Sequence, residues 1–148
     1  MKAKSIKGKS AEEIKSALAD SLADGFKPTL AIAFISLQQD RDAICALLDK
    51  EGIAIFGAST NGEFIDEELE KGSFAILLLD INPSYFTILF AEYPEKNYRD
   101  VASEIAKKAK MLFPNPAFLI SASHMETDAE QLLFGIEDII GKQVNVYG

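Results

Sequence analysis

Two apolar runs leave this chain few architectures. Thr29 to Ser36 reads TLAIAFIS, and Ile53 to Phe56 reads IAIF directly after Gly52. An apolar run of strand length without polar alternation suits a strand covered on both faces. Between the runs, Asp40 can cap a helix whose Ile44, Leu47 and Leu48 share one face, with Gly52 at its close. Strand, helix and strand in about 30 residues form a βαβ unit, which is right-handed in nearly all known cases and holds its strands parallel. The loops that follow such strands gather at one end of the sheet.

The remaining pattern extends this unit. Ser10 and Glu13 form a capping-box signal for a helix over residues 10–24, carried by Ala11, Ile14, Leu18 and Leu22 and stopped at Gly25. Ser73 to Leu79 and Tyr85 to Tyr93 read as two strands joined by the turn Asn82-Pro83-Ser84, and so as an antiparallel hairpin. Tyr98, Val101, Ala102, Ile105, Ala106 and Leu112 predict a helix from Asn97 to Met111. Ala117 to Ser121 is another apolar strand, Thr127 with Glu130 a second capping box, and Gln143 to Tyr147 a last strand after Gly141. The reading is an α/β fold: one layered domain with a mixed sheet, parallel βαβ units plus an antiparallel hairpin, and about four helices. Strand, helix, glycine, strand and glycine also occur twice, as TLAIAFIS to IAIFG and as PAFLISAS to VNVYG, a pattern of duplication. The second copy stops at the glycine where the first enters its polar turn, and a domain short of its C-terminal continuation is the corresponding expectation.

Composition removes several function classes. The chain of 148 residues has 15 Lys and Arg against 23 Asp and Glu, a formal charge of −8, so it is no basic clamp for nucleic acid. Lys2, Lys4, Lys7 and Lys9 crowd the start, which reads as a basic, flexible tail over 1–9 before a single domain over 10–148. An apolar fraction of 48 % with 26 % charged residues is ordinary for a globular protein. The longest apolar runs fall far below the ~20 residues a membrane helix needs, and MKAKSIKGKS leads into AEEIK rather than an apolar stretch. Insertion in a membrane and secretion are therefore not expected. The single cysteine, Cys45, excludes an internal disulfide and points to a reducing compartment, here the cytoplasm.

Two polar segments could bind a ligand. Gly57-Ala58-Ser59-Thr60-Asn61-Gly62-Glu63-Phe64 follows a buried strand, and its glycines and short hydroxyl and amide side chains suit a carboxylate, an amide or an anion. The same residues equally suit a turn that satisfies its own backbone. Ser121-Ala122-Ser123-His124-Met125-Glu126-Thr127 lies at a comparable strand end and could line the same cleft. The candidate contacts are Gly57, Ser59, Thr60, Asn61 and Gly62 with Ser121, Ser123 and His124. No nucleophile–base arrangement or G-x-S-x-G elbow stands out, so the chain is not expected to be an enzyme. Cys45 reads as a buried structural thiol, the acidic run Glu63 to Glu70 as a solvated face, and Arg41 and Arg99 as partners either of a ligand carboxylate or of a surface acid.

The segments PTLAIAFIS through IAIFGASTNGEF, then GSFAILLLD, then PAFLISAS through VNVYG resemble the N-terminal part of the FIST sensory domain, the family named for F-box and intracellular signal transduction proteins. The resemblance spans residues 28–148. The family's turn is of the type Gly-Cys-Ser-Thr-Ala-Gly-Glu; here Ala58 stands where cysteine is common and Asn61 where alanine is common, so a thiol-dependent role is not carried over. The resemblance implies a signal-input module that binds small molecules, amino acids among those proposed, and acts on a downstream signalling protein. It places the ligand at Ser59, Thr60, Asn61 and Gly62.

Three readings follow. The first is a sensor with no cofactor, binding an amino acid or small carboxylate. The second, drawn from family members that bind haem and sense nitric oxide, is a haem-based sensor using His124. The third is a protein–protein interaction module, a homodimer included, in which the apolar hairpin or an open sheet edge at Val144 to Tyr147 pairs with another chain.

Overall fold

The strand β2 (Leu30–Ser36) and the strand β3 (Ala54–Thr60) lie parallel, joined by helix α2 (Arg41–Lys50), as the apolar runs predict. These coordinates are a computed structural model that describes residues 1–60, 72–93, 95, 97–122 and 127–148, together with the backbone of 63–65 and 68–70. The chain forms two compact units, Met1–Ile88 and Leu89–Gly148, where the sequence reading drew a single domain from residue 10.

The first unit is built on a mixed four-stranded sheet in the order β1-β6-β2-β3, with β1 at Lys2–Gly8 and β6 at Phe74–Asp80. β6 runs antiparallel to both of its neighbours. Residues 1–9 are thus not a flexible tail. Ile6 and Gly8 point inward and Lys7 outward, while Lys2 is exposed at the start of the strand, so the lysines read as charge alone belong to an edge strand. Lys4 shares the inward face: its Nζ donates to the Ser21 carbonyl at 2.7 Å and to Asp24 Oδ2 at 2.9 Å, and it lies 5.1 Å from the centre of the Phe26 ring. Its ammonium therefore meets the C-terminal end of helix α1 (Ala11–Leu22), where a cation is favoured.

The alternation of β2 and β6 decides which side is covered. Ala31, Ala33 and Ile35 join Phe74, Ile76 and Leu78, Ile14 and Leu18 of α1, and Ile44 and Leu48 of α2 in one core. The opposite positions Phe34 and Leu77 are 42 % and 36 % exposed. The helices are capped as expected: Ser10 Oγ accepts from the Glu13 N–H at 3.2 Å, and Asp40 Oδ1 from Ala43 at 3.0 Å. The expected hairpin of 73–79 with 85–93 does not form. Both edges of β6 are taken by β1 and β2, which leaves Tyr85 to Tyr93 no place beside it; Pro83–Tyr85 is a short 3-10 turn and Phe86–Tyr93 forms no strand. Instead, a small antiparallel pair joins β4 (Glu63–Ile65) to β5 (Glu68–Glu70).

The second unit packs helix α3 (Tyr98–Leu112) with helix α4 (Ala129–Ile140), and the parallel strands β7 (Phe118–Leu119) and β8 (Val146–Tyr147) flank α4 in sequence. Ala102, Ala106, Ala109, Phe118 and Ile136 form its core. The helices come close because Gly135 has no Cβ; one built there would lie 2.3 Å from the Arg99 carbonyl oxygen. The cap of α4 is Asp128, accepting from Gln131 N–H at 3.1 Å, rather than the expected Thr127, whose Oγ1 lies 3.3 Å from the Tyr93 hydroxyl.

Candidate functional site

The carboxyl ends of the parallel strands β2 and β3 carry the hydroxyl side chains Ser36, Ser59 and Thr60. The pairing register sets Ile35 opposite Ser59 and Ser36 opposite Thr60. Paired residues point to the same face and successive ones to opposite faces. Ser36 and Thr60 therefore stand side by side on one face, with Ser59 on the other. Ser36 is buried, Thr60 half-buried and Ser59 exposed.

The loop between β2 and α2 is tied down where it passes this point. Ser36 N–H donates to the Ser73 carbonyl at 3.1 Å, and Leu37 N–H to the Thr60 carbonyl at 3.3 Å. Gln38 N–H donates to Ser36 Oγ at 3.4 Å. Gln39 Nε2 bridges the Lys9 carbonyl at 2.9 Å and the Gly72 carbonyl at 2.7 Å. Asp40 then opens α2. The result is a fixed rim of hydroxyl, amide and backbone groups at the sheet end where open α/β folds receive ligands.

This geometry changes the reading of the glycine turn. Gly57 to Thr60 are not a loop but the second half of β3, because β2 extends to Ser36 and offers pairing over its full length. Gly57 serves close packing: a Cβ there would lie 1.8 Å from the Ala33 carbonyl oxygen. Ser59 and Thr60 stay at the open strand end, whereas Asn61 and Gly62 lie outside the described residues. Ser121 is exposed beyond β7 in the second unit, and Ser123 and His124 also fall outside the described residues. Ser36 and Gln39 are site residues that the sequence reading misses. Their signal is the parallel pairing itself, which brings the end of TLAIAFIS beside the end of IAIFGAST.

The other candidates resolve differently. Arg99 makes a two-pronged ion pair with Asp138, Nε to Oδ2 at 2.7 Å and Nη2 to Oδ1 at 3.0 Å, and holds that carboxyl below its usual range by hydrogen bonding. Arg41 Nε lies 3.5 Å from Asp42 Oδ1. Both arginines thus face surface acids. Cys45 is half-buried on α2 rather than fully enclosed. Among the described residues, no group of three or more His, Cys, Asp or Glu side chains could hold a metal ion, and no helix is long and apolar enough to cross a membrane.

Against known proteins, the family model described as the FIST N domain matches residues 29–148. No curated protein and no solved structure matches the chain. The family match begins at the first residue before β2 and takes in Ser36 to Gln39, Ser59 and Thr60.

Proposed function

The chain belongs to the FIST N domain family of sensory domains in signal transduction, and from that premise we propose that it senses a small ligand at the carboxyl ends of β2 and β3. One observation carries the reading: the register that sets Ser36 beside Thr60, with exposed Ser59 on the other face of the same strand end, on strands fixed by backbone bonds from Ser36 to Ser73 and from Leu37 to Thr60. Hydroxyl and backbone donors there suit a ligand carboxylate, and Asp40 at the head of α2 suits a ligand ammonium. An amino acid carries both groups. Binding changes the freedom of the loop 37–39, and through it the signal passes to a downstream protein.

A thermal-shift screen of L-amino acids and small dicarboxylates tests this. A ligand at 100 times its dissociation constant adds about 2.7 kcal/mol, several degrees of midpoint for a domain of this size. The double variant Ser59→Ala, Thr60→Val should retain the unliganded midpoint and lose at least about tenfold in affinity, the worth of one ordinary hydrogen bond. Unchanged affinity would remove the site from these strands.

A further inference from the structure

Residues 36–39 tie together the ends of the strands in the four-stranded sheet. The register of β2 with β3 closes at Ser36 and Thr60, that of β2 with β6 at Ile35 and Phe74, and that of β1 with β6 at Gly8 and Phe74. Each of these ends meets the segment that closes β2. β3 is held through Leu37, whose N–H donates to the Thr60 carbonyl, and β6 through Ser36, whose N–H donates to the Ser73 carbonyl. β1 is held through the side chain of Gln39.

The tie to β1 differs in kind from the other two. A carboxamide nitrogen carries two N–H groups on one planar, uncharged group, and Gln39 Nε2 donates to the Lys9 carbonyl at 2.9 Å and to the Gly72 carbonyl at 2.7 Å. Lys9 is the first residue past β1, and Gly72 stands two residues before β6. Both carbonyls lie beyond the last pair of the β1–β6 ladder, so the side chain continues the pairing where the main chain stops. Two bonds from one nitrogen also fix its place. A shift of the loop either breaks both bonds or moves Lys9 and Gly72 with it.

From Lys9 the connection runs on into α1. Lys9 N–H donates to Glu13 Oε2 at 2.8 Å, Glu13 N–H donates to Ser10 Oγ at 3.2 Å, and Ile14 N–H donates to the Ser10 carbonyl at 3.1 Å. Lys9 thus meets the rim loop with its carbonyl and the first turn of α1 with its N–H. The bonds form a continuous path from the rim through Gln39 and Lys9 to the Ser10–Glu13 capping box.

We propose that Gln39 is the positioning residue that couples the rim to the first turn of α1, so that a change of the loop 37–39 on ligand binding is carried to Lys9 and the Ser10–Glu13 capping box. The inference rests on the reading of the rim as the ligand site and names where its signal goes, the corner between β1 and α1. A tie that only closed the sheet would hold β1 and β6 together and leave the capping box indifferent to the loop. Coupling requires that a disturbance of the loop reach Glu13 through Gln39.

A double-variant cycle in the full chain tests this route with no amino acid present. Gln38 is exposed, and Gln38→Gly loosens the loop through backbone freedom while every main-chain N–H is kept. Gln39→Met retains an unbranched side chain of similar length and removes both donors. Read by backbone amide chemical shifts, Gln38→Gly should displace the signals of Lys9, Glu13 and Ile14. The displacement should fall at least about threefold when Gln39→Met is already present. Equal displacement in both backgrounds, or none at Glu13 in either, overturns the coupling. If Gln39→Met does not fold, Gln39→Glu takes its place, with a carboxylate that cannot donate to two carbonyls, and the same comparison decides. Titration of the wild type with individual L-amino acids separates the coupling from the ligand reading. Shifts at Ser59 and Thr60 joined by shifts at Lys9 and Glu13 support both, whereas rim shifts that stop before Lys9 overturn the coupling alone. Absence of rim shifts overturns the ligand reading, and the cycle by itself then decides whether the rim is coupled to α1.

Discussion

At Gly57 the backbone of β3 passes so near Ala33 that a Cβ would lie 1.8 Å from the carbonyl oxygen, and this glycine separates packing from binding within one motif. Its obstructing neighbour is main chain, which cannot rotate away as a side chain could. The variant Gly57→Ala should therefore cost roughly 1–3 kcal/mol, the usual range for overpacking, read as a lower urea midpoint; a change below about 0.5 kcal/mol, ordinary for a surface position, would contradict the packing role. Ser59 and Thr60, two and three residues on, carry hydroxyls at the carboxyl end of the same strand. The glycine and the hydroxyls look alike in sequence as parts of one polar turn. Only the position of Ala33 across the pair tells them apart.

At the scale of elements, α3 and α4 are joined by the Gly135 contact, by Ser103 Oγ donating to the Gly135 carbonyl at 3.0 Å, and by the Arg99–Asp138 pair. The pair gives the helices a pH dependence of known sign. Asp138 is held below its usual range chiefly by the hydrogen bond from Arg99, so its contribution is fully present above the unfolded carboxyl value of about 4 and is lost as pH falls through the lower folded value. The midpoint difference between the wild type and Asp138→Asn should accordingly be present at pH 7 and vanish on acidification; a difference that persists at pH 2 would contradict it. The comparison of two proteins removes the broader effect of a chain approaching its isoelectric point.

The four helices, both βαβ units and the central apolar strands are legible in sequence, because capping residues, helical spacing and continuous apolar runs are local signals. β1 is not: Lys2 and Lys4 share the face of Ile6 and Gly8, so no apolar alternation marks the strand, and the inward positions have meaning only beside β6, some 70 residues on. Tyr85 to Tyr93 has the composition of a strand, yet the edges of β6 belong to β1 and β2. Of the candidate site, Ser59 and Thr60 are legible as polar residues after an apolar run, whereas Ser36 and Gln39 become visible only through the pairing of β2 with β3. Local chemistry writes elements plainly; it does not write who pairs with whom.

For the whole molecule, two units that share an order of elements use it differently. The first completes its sheet with β6 and presents a fixed polar rim; the second holds helices α3 and α4 with the parallel pair β7 and β8. The central claim is the ligand rim, and backbone chemical-shift mapping of the isotopically labelled chain during titration with individual L-amino acids tests it most directly. The account predicts that at least one amino acid gives saturable shifts centred on Ser36 to Gln39 and on Ser59 and Thr60. Saturable shifts confined to other residues, or none with any amino acid, would contradict it.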